Sequence, residues 1–321
     1  MQHRLELLSS DREVNFRSSV DGNIGEYRLR FANGKQVAFG DFVSRRNGII
    51  RHDINASALL GCNMDCALLC VSAKQPVTIL TDEQLVQQVS AALLQRNAEL
   101  PSDTLRAVGF LGEGEPAANR SNILTAVRRL ADSDFAVDHV VLSTTGWQYE
   151  NFIPALQQTA VEIGRSGFLR LQFSLFHMDQ KTRQQYIPGT QPWTEMVSVL
   201  DQFAEHAHFP VRYNVPLVQG VNDDEAHLQH LADFSAKNHS GRCIKLSSFN
   251  APSGGQLCPV PTQQFEGISQ MMRERGATVK VFIADQAVTT DGVLLHVNCG
   301  KVHAGIEHAI SDVLEGARTY S

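Results

Sequence analysis

From about residue 54 the chain repeats one pattern: a strand-length apolar run, a longer stretch with helical period, then another apolar run. Runs at 54–60, 107–111, 139–143, 169–176, 211–218 and 243–249 read as strands. Stretches at 82–96, 122–130, 149–164, 193–207, 223–237 and 262–275 read as helices. This alternation implies a parallel sheet, because a parallel connection needs a crossover long enough to hold a helix. About six units are present, short of the eight of a closed barrel. Thr81 before Asp82-Glu83, and Asn222 before Asp223-Asp224-Glu225, carry the cap and first-turn acids of helix starts.

The first 50 residues have a different rhythm. Residues 26–31 alternate polar and apolar side chains, 32–35 supply a turn around Asn33-Gly34, and 36–39 resume the alternation, as a β-hairpin does. The expected fold is therefore α/β, a partial (β/α)6 TIM-like barrel with a small N-terminal β-hairpin extension. Its expected parts are a β-rich extension at 1–50, a core at 51–305 and a tail helix at 306–321.

Composition narrows the function. Among 321 residues, 28 Lys+Arg face 34 Asp+Glu, a formal charge of −6 that disfavours a large basic nucleic-acid footprint. With 43% hydrophobic residues the chain has ample material for a core, which excludes disorder over most of its length. The start, MQHRLELLSSDREVNF, has no apolar segment of a secretory signal, and no run approaches the ~18 apolar residues of a membrane helix. A soluble cytoplasmic protein with no membrane partner is expected.

Six cysteines are present, three of them within nine residues: Cys62, Cys66 and Cys70, directly after the first core strand. Clustering of this kind suits a metal site in a reducing compartment better than a disulfide framework. One reading is a buried helical stripe, since residues four apart share a helix face. The other is a loop curled around a metal, because a straight helix would separate Cys62 from Cys70 by about 12 Å along its axis. With no fourth ligand nearby, three thiolates suit an iron–sulfur cluster with one open iron better than a closed zinc site. The triplet alone leaves both readings open.

Sites in parallel α/β folds lie at the carboxyl ends of the strands. There the sequence offers Gly112-Glu113-Gly114-Glu115-Pro116, then Ser143-Thr144-Thr145-Gly146, then Ser174 within Phe173-Ser174-Leu175-Phe176-His177, and Phe249-Asn250-Ala251-Pro252. The glycine pair fails the dinucleotide fingerprint, since Pro116 and Ala117 stand where a further glycine belongs. Small polar groups on successive strand ends are what a cofactor with sugar, base and amino-acid parts requires.

This ordered set, from about residue 25 to 305 and including Val297-Asn298-Cys299-Gly300, resembles the radical S-adenosylmethionine enzymes of the RlmN/Cfr RNA adenine methyltransferase family. The resemblance implies a partial βα barrel of the radical SAM type, with a 4Fe-4S cluster on Cys62, Cys66 and Cys70. Its free iron would chelate S-adenosylmethionine, which reductive cleavage converts to a 5′-deoxyadenosyl radical. By the same resemblance Gly114 and Glu115 take the methionine amino group, and Ser143, Ser174 and Asn250 contact the rest of the cofactor. Cys299 would be the methyl-accepting cysteine, RNA the substrate, and a flavodoxin or ferredoxin the reducing partner.

Three departures stand out. The family spaces its cluster cysteines by three and then two residues; here both gaps are three. The resolving cysteine, seven residues before the first cluster cysteine, is Asn55 here. The family's N-terminal RNA-recognition domain is reduced to the hairpin region, where Asp41 matches the catalytic acid only with a one-residue shift. These departures keep two alternatives in view: radical chemistry on a small molecule or peptide, and a non-catalytic scaffold. Cys258 is read as an ordinary loop cysteine. His177, His296 and His303, near the expected rim, are read as hydrogen-bonding structural residues.

Overall fold

The computed structural model describes residues 14–18, 23–31, 34–67, 76–96, 99–249, 256–283, 287–288 and 294–295. It opens with an antiparallel meander, β1 (Val14–Ser18), β2 (Ile24–Arg30), β3 (Gln36–Arg46) and β4 (Ile49–Ala56). The β3–β4 turn is Asn47-Gly48, with φ of 52° and 77°, the two-residue geometry whose twist matches the strands it joins. A short antiparallel ladder, β5 (Leu59–Leu60) with β6 (Thr78–Ile79), flanks the cysteine loop.

Parallel strands follow, alternating with helices: α1 (Asp82–Arg96), β7 (Leu105–Phe110), α2 (Arg120–Ala131), β8 (His139–Thr144), α3 (Tyr149–Ile163) and β9 (Leu169–Ser174). Then come α4 (Gln180–Tyr186), α5 (Trp193–Ala207), β10 (Val211–Leu217), α6 (Glu225–Ala236), β11 (Arg242–Ser248), α7 (Gln264–Glu274) and β12 (Val279–Phe282). A last antiparallel pair is β13 (Ala287–Val288) with β14 (Leu294–Leu295). The main sheet runs β1-β2-β3-β4-β7-β8-β9-β10-β11-β12, and β4 through β12 are parallel. The six expected parallel strands are all there, with β12 as a seventh. Since spatial order follows chain order without reversal, right-handed crossovers put every helix on the same face.

Alternation along the strands agrees. Ile54, Val108, Val140, Leu171, Phe173, Tyr213, Val215, Ile244 and Leu246 are buried in one apolar core with Leu85, Val127, Leu156, Phe203 and Leu231 of the helices. The opposite face carries the polar set, which makes it the inner face of a partial barrel.

Several boundaries differ from expectation, each for a local reason. The first core strand begins at Ile49 rather than 54, because the hairpin pairs Ile49 with Arg46. Residue 50, the expected edge of the extension, therefore lies inside β4, and Tyr27, Leu29, Val37 and Phe39 join the main core. Strand β9 stops at Ser174, ahead of Phe176, whose φ of 62° breaks the ladder. Asn222 does not cap α6; Asp224 does, accepting the His227 N–H at 2.9 Å. Thr81 caps α1 as expected, in a reciprocal pair with Gln84 at 3.2 and 3.0 Å. The expected tail helix at 306–321 lies outside the described residues.

Asp41 sits between β3 and α1, fully buried on the helix-covered face. It accepts from Tyr27 Oη at 2.8 Å and from Arg96 Nε and Nη2, both at 3.1 Å, and lies 2.7 Å from His52 Nε2. Burial alone would push this carboxyl up, but hydrogen bonds and charge from His52 and Arg96 outweigh it and hold the pKa below the ordinary aspartate value. A depressed folded-state pKa adds stability above the unfolded value near 4, lost as pH falls through the folded one. Asp41→Asn is expected to lose about 3–5 kcal/mol in urea unfolding at neutral pH. The wild-type advantage over Asp41→Asn should shrink below about pH 4.

Candidate active site

The carboxyl ends of the parallel strands are stitched to the cysteine loop by backbone and carboxylate contacts. The Gly112 N–H donates to Ala56 O at 3.0 Å, and the Ala58 and Leu59 N–H groups donate to Glu113 O at 2.8 and 3.1 Å. The Glu113 side chain then accepts the Gly61 N–H at 3.1 Å, one residue before Cys62. Gly114 has φ of +87°, and a Cβ there would lie 2.4 Å from the Leu59 Cβ, so both the turn and the close approach require glycine.

Glu115 points the other way. Its carboxylate accepts from Thr144 Oγ1 at 2.5 Å, the Thr145 N–H at 2.7 Å, Thr145 Oγ1 at 2.8 Å and the Ala117 N–H at 3.3 Å. Those four bonds fill the acceptor sites of a carboxylate, so Glu115 locks the β7 end to the β8 end. Burial pushes its carboxyl up, against the pull of these donors.

Cys62 and Cys66 are half-buried cysteines. From Gly61 to Ala67 the backbone is not helical, which removes the buried-stripe reading for this part of the loop. Both cysteines pack on Met64, Phe176, Ile187, Val218 and Phe249, together with Trp147, Tyr186 and Leu257. Of these, Trp147, Phe176, Val218 and Phe249 follow β8, β9, β10 and β11, so the rim converges on the cysteine loop. The Ala67 N–H anchors that loop to Tyr186 O at 2.8 Å. Cys70, Asn250 and Cys299 lie outside the described residues, as do His296 and His303.

Two residues that the sequence reading missed or misassigned hold this rim. Arg183 on α4 is fully buried. Its guanidinium donates to Leu175 O at 3.0 Å, Thr190 Oγ1 at 2.6 Å, Thr145 O at 2.7 Å and Ser174 O at 3.2 Å. Burial lowers its pKa to about 10, partly offset by attraction to Cys66 and Glu115. A lone arginine on an unforeseen helix gives no sequence signal. Asn222, also fully buried, takes the Val218 N–H at 2.7 Å and donates to Phe176 O and Pro216 O at 2.9 Å. It joins the ends of β9 and β10. His177 stacks on His227 at 4.2 Å and accepts the Asp179 N–H at 2.9 Å, a structural role as read from the sequence.

The inner face continues the site downward. Ser143 and Ser174, on β8 and β9, are half-buried there; Ser143 Oγ accepts Gln172 Nε2 at 3.1 Å, and Lys245 Nζ donates to Gln172 Oε1 at 2.9 Å. Asn214 pairs with Ser174 in register, and its buried Oδ1 has no hydrogen-bond partner among the described residues. Asn55 lies on the same face, opposite Gly109 and Gly40. Cys258 is exposed, next to Leu257 of the rim cluster. Asp41 is not brought together with any of these residues.

No protein-family model matches the chain. A probable dual-specificity RNA methyltransferase RlmN from Opitutus terrae is 31% identical over 182 residues, 55% of this chain and 48% of that protein. A probable RNA methyltransferase from Thiobacillus denitrificans is 25% identical over 269 residues, 82% of this chain and 68% of that protein. The chain thus spans about half to two thirds of the length of these curated relatives. Among solved structures, a radical SAM methyltransferase from Sphaerobacter thermophilus superposes with a TM-score of 0.71 at 21% identity, covering 85% of this chain and 77% of that one. At that identity the likeness shows the fold, a partial barrel of the same kind.

Two substitutions test the stitching. Gly114→Ala forces a Cβ against Leu59 at a positive φ, and should cost about 1–3 kcal/mol in chemical denaturation. Arg183→Met strands several buried carbonyls, and a loss on the order of 2 kcal/mol or more is expected in the same measurement.

Proposed function

We propose that this chain, a divergent relative of the RlmN-type RNA methyltransferases, is a radical S-adenosylmethionine enzyme that transfers a methyl group to an RNA adenine. The observation that carries the reading is the convergence of Cys62 and Cys66 on the apolar cluster built from four strand ends, in a non-helical loop. With Cys70 as third thiolate, this donor set suits a 4Fe-4S cluster that leaves one iron open.

When bound, the cluster and S-adenosylmethionine supply reductive cleavage of the cofactor and a carbon-centred radical. The chain's own residues bind and orient. Gly114 offers backbone close to the cysteine loop, since it packs on Leu59. Glu115, engaged by four donors, holds the β7 and β8 ends in place around the cofactor's amino-acid part. Ser143, Ser174 and Asn250 contact the remainder, and the unpartnered Asn214 Oδ1 is an acceptor for a donor of the bound cofactor. Met64, Phe176 and Val218, all buried, exclude water beside the thiols. Cys299 carries the methyl group, and a flavodoxin- or ferredoxin-type protein delivers electrons.

Asn55 favours a second reading. It is buried on the inner face where the family's resolving thiol belongs, and an amide cannot form the disulfide that releases an enzyme–RNA adduct. Radical chemistry on a small molecule or peptide needs no such release.

Anaerobic reconstitution of the full chain should give about four irons per chain, with Cys62→Ser losing most of them. With a reductant and methyl-labelled S-adenosylmethionine, label should appear on Cys299 and then in RNA, and Cys299→Ala should abolish both. Cofactor cleavage with no label on Cys299 would select the second reading; failure of iron to bind would remove both.

A further inference from the structure

The amino-terminal ends of the parallel strands carry a cluster that the rim does not use. On the inner face, β4 contributes Arg51 and Asp53, β8 His139, β9 Arg170, β10 Arg212 and β12 Lys280. Register puts them on one face: Asp53 pairs with Ala107 and Ala107 with His139, while Val141 pairs with Arg170. Gln172 pairs with Arg212, and Lys245 with Lys280. Each of these cations is among the first three residues of its strand, at the end opposite the cysteine loop; buried Cys243 of β11, its thiol pKa raised by burial, pairs with Arg212 there.

Phe209 gathers the charges. Its ring centroid lies 3.9 Å from the Arg170 guanidinium, 5.3 Å from that of Arg212 and 5.9 Å from Lys280 Nζ. Compensation is thin. Asp53 is taken by Arg51 through two bonds of 2.7 Å. His139 stands beside these cations, its Nε2 3.4 Å from Arg51 Nη2; burial and the surrounding charges lower its pKa to about 3, so it is neutral and adds an acceptor but no negative charge. Asp138, the other nearby carboxylate, is exposed and accepts the Arg106 N–H at 2.7 Å. The buried Arg212 Nε has no hydrogen-bond partner among the described residues, and Arg170 Nε spends its proton on Gly167 O at 2.7 Å. Burial, and then repulsion from the neighbouring cations, lowers the pKa values of Arg170, to about 10, and of Arg212 and Lys280. In a chain with a formal charge of −6, Arg170, Arg212 and Lys280, with no ion-pair partner among the described residues, are a local concentration of positive charge.

We infer that the amino-terminal mouth of the partial barrel, formed by Arg170, Arg212 and Lys280 around Phe209, binds a phosphate dianion, free or as a monoester. Two planar guanidinium groups and an ammonium from separate strands match a tetrahedral group that accepts bonds in several directions. A dianion also balances the excess of positive charge better than a single carboxylate. Lys280 is exposed, so the mouth is open to solvent.

The test is titration of the purified full chain with inorganic phosphate, by calorimetry and thermal unfolding, at low ionic strength matched with chloride. Saturable binding of one phosphate and a rise in Tm are expected. Arg212→Met should weaken the affinity by about tenfold or more, and Lys280→Ala, which removes an exposed side chain, should weaken it in the same direction. Cys62→Ser should leave phosphate binding unchanged, since the two ends of the barrel are separate. A phosphate monoester that binds more tightly than the free ion would identify the natural source as an ester and uphold the site. Absence of saturable binding, or wild-type affinity in both cation variants, overturns the inference. So does an RNA oligonucleotide that displaces phosphate with a steep salt dependence, which would make this mouth an RNA surface.

Discussion

Glu113 and Glu115 are one residue apart, and Gly114 between them turns the backbone so that the two carboxylates reach in opposite directions. One takes the Gly61 N–H ahead of the cysteine loop; the other takes the Thr144 and Thr145 donors at the end of β8. Burying carboxylates is costly unless their lone pairs are filled, so each fixes its partners firmly once folded. Arg183 repeats the device from the far side, reaching Thr145 O and Ser174 O from α4. The rim is therefore a connected polar lattice, in which the position of the thiols depends on contacts two strands away.

Strand–helix alternation made the parallel sheet legible in the sequence, and α1 and α5 fall on the expected residues, α1 behind the Thr81 cap read at its start. The hairpin start of β4 was also available: Asn47-Gly48 is the residue pair that a two-residue turn demands, yet it stands between charged and apolar residues without clean alternation. Other features could not be read. Asn222 looks like a helix cap until β9 and β10 come together and offer its amide better partners. Short α4 has no repeating apolar stripe, and the burial of Arg183 arises only from tertiary packing. At the rim, residue types were legible and their duties less so. Glu115 announced itself as a carboxylate at a strand end, but which donors it meets depends on β8 lying beside β7.

The inner face gathers its cations toward the amino-terminal ends, where Arg51, Arg170, Arg212 and Lys280 have little negative charge in return; nearer the carboxyl ends Ser143, Ser174 and Asn214 stand with Gln172, whose amide oxygen takes up Lys245. Opposite it, Asp41, Arg96, His52 and Tyr27 form a buried hydrogen-bonded cluster under α1 that stabilises the join between the meander and the parallel sheet. The same chain thus uses charge for architecture on one face and leaves it available for ligands on the other.

On the proposed reading, Cys62, Cys66 and Cys70 together hold a cluster with one iron open to the strand ends. Electron paramagnetic resonance of the anaerobically reconstituted, reduced chain tests it directly, with and without S-adenosylmethionine. The expected result is the spectrum of a reduced 4Fe-4S cluster whose g values shift when S-adenosylmethionine is added. A spectrum indifferent to S-adenosylmethionine, or no cluster signal from a chain with all three thiols intact, would contradict it.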